Sequence, residues 1–287
     1  MATKGRRGFF GSLQYTTIIA GQLLALLTII ILQQLLSATQ LSEWGWRIPF
    51  LMGAMGAVVV FYLRRGMVET ASKKSMNREG AGTLGALMQH KRAVVLTLIF
   101  TIGGSLYFYT FTTYMQKFLV LSGVVDTRTA SVVMGISLVV FMVMQPIFGA
   151  LSDRLGIRTH MRVFTGLAAI FVVPILFGIQ ASRDPWIAGM LVVAGLTIAA
   201  FYTPIAGLLK ADMFPVEIRA LGVGFPYAIG NALFGGTAEY VALRLREANI
   251  ESTYFYYVAV VCVIAFIAAL VMPDLRKKGY LDGAGQV

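Results

Sequence analysis

The sequence predicts an all-α polytopic membrane protein with eight transmembrane helices. Three observations carry the prediction: the scarcity of charge, the length of the apolar runs, and the way Lys and Arg fall between them. Hydrophobic residues make up 57% of the 287 and charged residues 13%, with a mean hydropathy of +0.76. Ordinary soluble domains carry roughly twice that charge. Apolar runs lie near 10–36, 46–63, 93–119, 130–151, 162–180, 185–209, 221–243 and 254–272. A hydrocarbon core demands roughly 20 residues of helix, and no other open structure satisfies its own backbone in lipid.

The first run follows Lys4-Gly5-Arg6-Arg7 and superficially resembles a signal peptide. It extends to Leu36, too far for one, and has no small-residue cleavage site, so it is predicted to remain as a spanning helix. The second run is short unless Trp44 and Trp46 form its interfacial belt. The gap from Arg64 to Arg92 is polar and basic, and reads as a flexible linker between two bundles. Within it, residues 83–90 are predicted to form a short helix on the membrane face, with Leu84, Leu87 and Met88 buried. The fourth and fifth runs are joined by the tight charged hairpin Gly149-Ala150-Leu151-Ser152-Asp153-Arg154-Leu155-Gly156-Ile157-Arg158. Gly149 lets backbones approach, Asp153 and Arg154 can pair across helix ends, and Gly156 suits a left-handed position. Pro146, Pro174, Pro204 and Pro226 fall inside four different runs, where each removes a backbone hydrogen bond and permits a kink. Cys262 is the lone cysteine, so no disulfide forms within the chain, and it is expected to pack in the last helix.

The net charge of +11 does not point to nucleic acid, because the cations recur between apolar runs instead of gathering on one segment. One set of gaps holds 18 Lys and Arg and the other holds 6. The first side is therefore predicted to be cytoplasmic, with both termini inside. A weak internal repeat accompanies this layout. Arg7 precedes Tyr15 by the same interval as Arg219 precedes Tyr227, six helices later. If six helices form one unit, the last six are complete and the first two are the tail of another.

The hairpin pattern G-x-x-x-D-R-x-G-x-R between two apolar spans resembles the loop signature of the major facilitator superfamily of secondary transporters. Trp44-Gly45-Trp46-Arg47-Ile48-Pro49-Phe50 resembles the run that opens the sixth helix in the metabolite–proton symporter group of that superfamily. Lys210-Ala211-Asp212-Met213-Phe214-Pro215 through Arg219-Ala220-Leu221-Gly222 is similar to its loop between the tenth and eleventh helices. The runs 108–117 and 231–240 extend the resemblance over nearly the whole chain. It implies a truncated form of a twelve-helix fold, containing the fifth to twelfth helices. Residues 1–63 would be the last two helices of the N-terminal bundle and 64–92 the cytoplasmic linker. Residues 93–273 would be the C-terminal six-helix bundle and 274–287 a cytoplasmic tail.

The resemblance implies a dicarboxylate substrate, which in a membrane cavity demands fixed cations, since an unpaired buried carboxylate is prohibitive. Arg47 is the first candidate, able to bind carboxylate bidentately or to anchor the interface beside two Trp. Lys117 could bind substrate or snorkel to the headgroups. Glu239 lies inside the seventh run, where a carboxylate is expensive and points to function. It could meet Lys117, as a proton-coupling group or an outer gate. Tyr107, Tyr109 and Tyr202 fall on helices that the resemblance assigns to the cavity wall, where phenol hydroxyls would orient substrate oxygens. Gln22 and Asn231, at comparable depths in the repeat-related helices, demand partners from a neighbouring helix or a ligand. Gly149, Asp153, Arg154, Gly156 and Arg158 read as a cytoplasmic latch.

No enzyme site is expected. His90 and His160 stand without metal-ligand spacing, and no phosphate-binding loop is present. No cofactor is expected, and an ion gradient is the remaining energy source. The resemblance implies proton-coupled symport of an alpha-ketoglutarate-like dicarboxylate across a bacterial inner membrane by alternating access. Shikimate, proline or betaine are alternative substrates. A second alternative is a non-transporting fragment whose Met1 is internal to a longer parent. Such a fragment would act only with a chain bearing the missing four helices, or by self-association.

Overall fold

A computed structural model describes residues 5–66 and 82–281. Most of the expected linker, and the tail beyond 281, lie outside the described residues. Among those described, the chain is helical throughout with no strand. Seven helices are long and apolar enough to cross a membrane: α1 (Arg7–Leu35), α2 (Leu41–Arg65), α4 (Lys91–Leu121), α5 (Thr127–Leu155), α6 (Ile157–Ala181), α7 (Pro185–Asp212) and α9 (Ser252–Val271). Short helices also occur among the described residues, one turn at Ala38–Gln40 ahead of α2, α3 (Leu84–Met88) and α10 (Leu275–Lys278). The remaining apolar run becomes α8 (219–247), built of three pieces: Arg219–Gly230, a π-helical segment Asn231–Gly235, and Ala238–Glu247. Gly235 and Gly236 interrupt it, because glycine is a weak helix former, and its last piece carries four charged residues among ten. It is therefore not one uninterrupted apolar span.

Local chemistry starts and breaks these helices. Asp126 caps α5 through the N–H groups of Arg128 and Thr129, at 3.1 and 3.4 Å. The Thr129 hydroxyl, also donating to it, holds the Asp126 carboxyl below its ordinary range. Asp184 caps α7 ahead of Pro185. Around Pro204, α7 opens into a 3₁₀ turn over Thr203–Ile205, and the Thr203 hydroxyl donates to Gln145 at 2.8 Å. Pro146, Pro174 and Pro226 lie inside helices. Helix α3 corresponds to the expected membrane-face helix, with Thr83 as its cap. Only Leu87 of its three apolar residues is covered by protein, while Leu84 and Met88 are exposed. A helix of this length turns just one narrow stripe inward.

The core surrounds α4 and α7. Phe100, Tyr107, Phe111, Tyr114 and Phe118 of α4 are all buried, and Gly195 of α7 admits the Phe111 ring against its backbone. Helix α9 packs on α6 and α4, and α1 lies along α5 and crosses the broken part of α7. By contrast α2 touches little beyond the end of α1, and no residue from Arg47 to Arg65 is buried. The start of α1 and the end of the chain share one face of the bundle, where Arg7 donates to the Leu281 carbonyl at 3.1 Å.

Candidate functional site

At that face, α1 begins without a capping side chain of its own and with no acid in its first turn. Asp153, in the last turn of α5, supplies the cap. Its carboxylate accepts from the Gly8 N–H at 2.6 Å and the Phe9 N–H at 3.0 Å. A carboxylate at a helix N-terminus also meets the positive end of the helix dipole. The contact exists because two glycines bring the backbones together. A Cβ on Gly149 would stand 2.6 Å from the Gly8 carbonyl oxygen and 2.8 Å from Ser12 Cβ.

Gly156 takes φ +91°, in the region that favours glycine, and turns the chain from α5 into α6. The cations of the hairpin reach the other way. Arg158 donates to the Leu270 carbonyl at 3.3 Å, and Arg162 to those of Ala269 and Leu270, at the end of α9. The Arg154 carbonyl accepts from Arg276 at 2.7 Å. Asp153 and Arg154 do not pair with one another. As adjacent helical residues they point in different directions, and each engages a different neighbour.

Midway along the bundle, the tyrosines separate into two groups. Tyr107 is fully buried and does not line an open wall: its hydroxyl donates to the Gly195 carbonyl at 3.1 Å and its ring packs on Phe111 and Phe164. Tyr202 is also buried, stacked on Phe164 with centroids 5.1 Å apart, yet its other side faces Lys210. Tyr109 is partly buried against Gly235, and Tyr15 of α1 stands beside Tyr109 and Tyr227. The Gln22 amide oxygen is buried and has no hydrogen-bond partner among the described residues. Asn231 opens the π-helical segment of α8. Such segments recur at functional positions, and α4 has another at Thr110–Tyr114.

At the opposite face, Lys117 of α4 and Glu239 of α8 form an ion pair. Lys117 is the more exposed partner, with 56% of its side chain open against 28% for Glu239. Nearby, Glu251 accepts from Arg246 at 2.7 Å, from Tyr114 at 3.2 Å and from Gln180 at 3.1 Å, tying α4, α6 and α8 together. Arg47 lies apart from these. Its guanidinium covers the Trp46 ring at 4.6 Å and donates to the Glu43 carbonyl, an interfacial arrangement within α2.

The sequence profile of the Major Facilitator Superfamily matches residues 1–238. The chain belongs to that superfamily. Alpha-ketoglutarate permease of Escherichia coli K12 is 50% identical over 279 residues, covering 97% of this chain and 64% of the permease. The inner membrane metabolite transport protein YhjE of the same organism is 26% identical, over 95% of this chain and 64% of its own length. A citrate-proton symporter of Salmonella typhi is 27% identical, over 98% and 65%. The chain thus spans just under two thirds of the length of these relatives. It is a multi-pass protein of the bacterial inner membrane, in a family of transporters and not of enzymes.

In this facilitator chain, sequence reasoning passed over Lys210 and the backbone partner of Asp153. Lys210 counted as a loop cation because it follows the apolar run directly. The structure carries α7 through Asp212, which places Lys210 inside the protein at 3% exposure. The equal interval from Arg7 to Tyr15 and from Arg219 to Tyr227 was the available signal, since those two tyrosines and Lys210 gather at one place.

Proposed function

We propose that the chain forms the fifth to twelfth helices of a proton-coupled symporter for an alpha-ketoglutarate-like dicarboxylate, working by alternating access. In this reading α8 is the eighth spanning helix. Residues 1–63 end the N-terminal bundle, 64–92 link the bundles, 93–273 form the C-terminal bundle and 274–287 form a tail. The termini and the Asp153 hairpin lie on the cytoplasmic side, as the distribution of Lys and Arg supports. The observation that carries the substrate class is the likeness to alpha-ketoglutarate permease along 97% of the chain.

The mechanism follows from two contacts. Asp153 holds the start of α1 to the end of α5, so the Gly8–Gly149 contact closes the cavity at the cytoplasmic end. Losing it lets the two bundles part there. Glu239 is the coupling group: protonation neutralises the carboxylate and frees Lys117 to rearrange as the outer end closes. Uptake of labelled alpha-ketoglutarate by cells lacking their own permease tests the reading. Uptake that an uncoupler abolishes is expected; uncoupler-insensitive uptake would refute proton coupling. A second reading is favoured by α2, none of whose residues from Arg47 to Arg65 is buried. In it, the chain transports only beside a partner bearing further helices or a second copy. No uptake by cells whose membranes contain the chain would select that reading.

A further inference from the structure

The geometry points to Lys210 as a substrate-binding residue, a cation in an aromatic cage that takes one carboxylate of the substrate. The assignment rests on the dicarboxylate reading above and names the group that reads the charge. Lys210 sits in the last turn of α7 at 3% exposure, with its ammonium 4.6 Å from the Tyr227 ring centroid and 5.9 Å from that of Tyr202. Among the described residues it has no carboxylate, hydroxyl or carbonyl partner. Asp212, two positions on, is turned toward the chain end and accepts from the Leu281 N–H at 2.7 Å; residues two apart on a helix do not face each other.

A buried ammonium without an anion is costly, and aromatic rings return only part of that cost. The surroundings are donors as well. The hydroxyls of Tyr15, Tyr109, Tyr202 and Tyr227 make no hydrogen bond to protein among the described residues. Tyr15 lies within electrostatic range of Tyr109 and Tyr227, and Tyr202 lies within that of Tyr15 and Tyr227. One ammonium and four phenols from α1, α4, α7 and α8 therefore share this region, and among the described residues no carboxylate pairs with the ammonium. Their chemistry fits an anion rich in acceptor oxygens, such as a keto-carboxylate. Access remains, because Tyr227 is 42% exposed and forms the open side of the cage. Helix α1 crosses close by, with Gly11 against the Pro204 carbonyl, so a ligand here would touch the elements whose separation opens the latch.

The test compares alpha-ketoglutarate with its monoamide, 2-oxoglutaramate, as competitors of labelled alpha-ketoglutarate on the purified full chain. The unmodified chain should prefer the dicarboxylate by about tenfold to a hundredfold, the scale of one charge-assisted contact. In Lys210→Met, of similar length, that preference should collapse to within about threefold. A preference that survives in Lys210→Met overturns the assignment and leaves the transport reading standing. An unmodified chain that binds neither compound overturns both. Should the variant fail to fold, amine acylation of the unmodified chain decides. Alpha-ketoglutarate should slow labelling at Lys210 and 2-oxoglutaramate should not; equal labelling overturns the assignment.

Discussion

Replacing Asp153 by Asn tests whether the hairpin is a latch. The carboxylate accepts two N–H groups of α1 at 2.6 and 3.0 Å, and the first turn of α1 offers no substitute. Asn is as good a cap as Asp in geometry, so this substitution removes charge more than hydrogen bonding. A charge at a helix end contributes about 0.3–1 kcal/mol on the surface and up to about 2 kcal/mol when partly buried. The closed-to-open ratio should therefore fall by about 1.5-fold to thirtyfold. Asp153→Ala leaves both N–H groups without a partner and should cost about 1–3 kcal/mol for each donor left desolvated. Spin labels on cysteines at Phe10 and Leu155, both exposed, report the distance between the two helix ends, and buried Cys262 stays unlabelled. The longer distance should gain population in Asn and more in Ala. Alpha-ketoglutarate affinity should change less than the state balance, because among the described residues the Asp153 carboxylate bonds to the start of α1 alone. An unchanged distance distribution in both variants, or affinity falling in step with the balance, would refute the latch.

Gly149→Ala acts on the same contact by sterics. Its Cβ would meet backbone at 2.6 Å, and such overpacking typically costs about 1–3 kcal/mol, so the same labels should report opening with the Asp153 carboxylate intact. Glu239→Gln removes an ion pair whose lysine is mostly exposed. Thermal stability should change by less than about 1 kcal/mol, whereas uncoupler-sensitive uptake should be lost, and preserved uptake would remove Glu239 from coupling. Tyr107→Phe should lower stability by about 1 kcal/mol through the lost bond to Gly195, with KM unchanged; a tenfold rise in KM would return Tyr107 to the binding wall. Glu251→Ala removes the acceptor shared by Arg246, Tyr114 and Gln180, leaving Arg246 only the Leu121 carbonyl among the described residues, and should destabilise the bundle by about 1–3 kcal/mol in a denaturation series.

What the sequence discloses depends on how local the cause is. Helix existence follows from apolar length alone, so the observed helix Thr127–Leu155 is recognisable from the apolar run expected near 130–151. Gly156 is similarly legible, because only a local turn calls for its φ of +91°. The Asp153 cap is not, since the N–H groups that donate to it lie 144 and 145 positions away on a backbone that advertises nothing. Tyr107 and Tyr109 show the same limit from the other side. They are two positions apart on one helix, yet one is in the core and the other beside Tyr15 and Tyr227; only the packing of α7 and α8 around α4 decides which. Lys210 is the most instructive case. At the edge of an apolar run, a lysine ordinarily snorkels toward water, and that expectation fails here because α7 continues beyond the run to Asp212. Once the helix continues, the side chain lies beside Tyr202 and Tyr227, and its lack of a carboxylate partner among the described residues becomes a statement about what could arrive from outside. The repeat that places Tyr15 and Tyr227 at matching intervals brings phenols from both sets of helices to that cation. A charge read there would thus be felt by α1 and α8 together, the two helices that a transport cycle has to move apart.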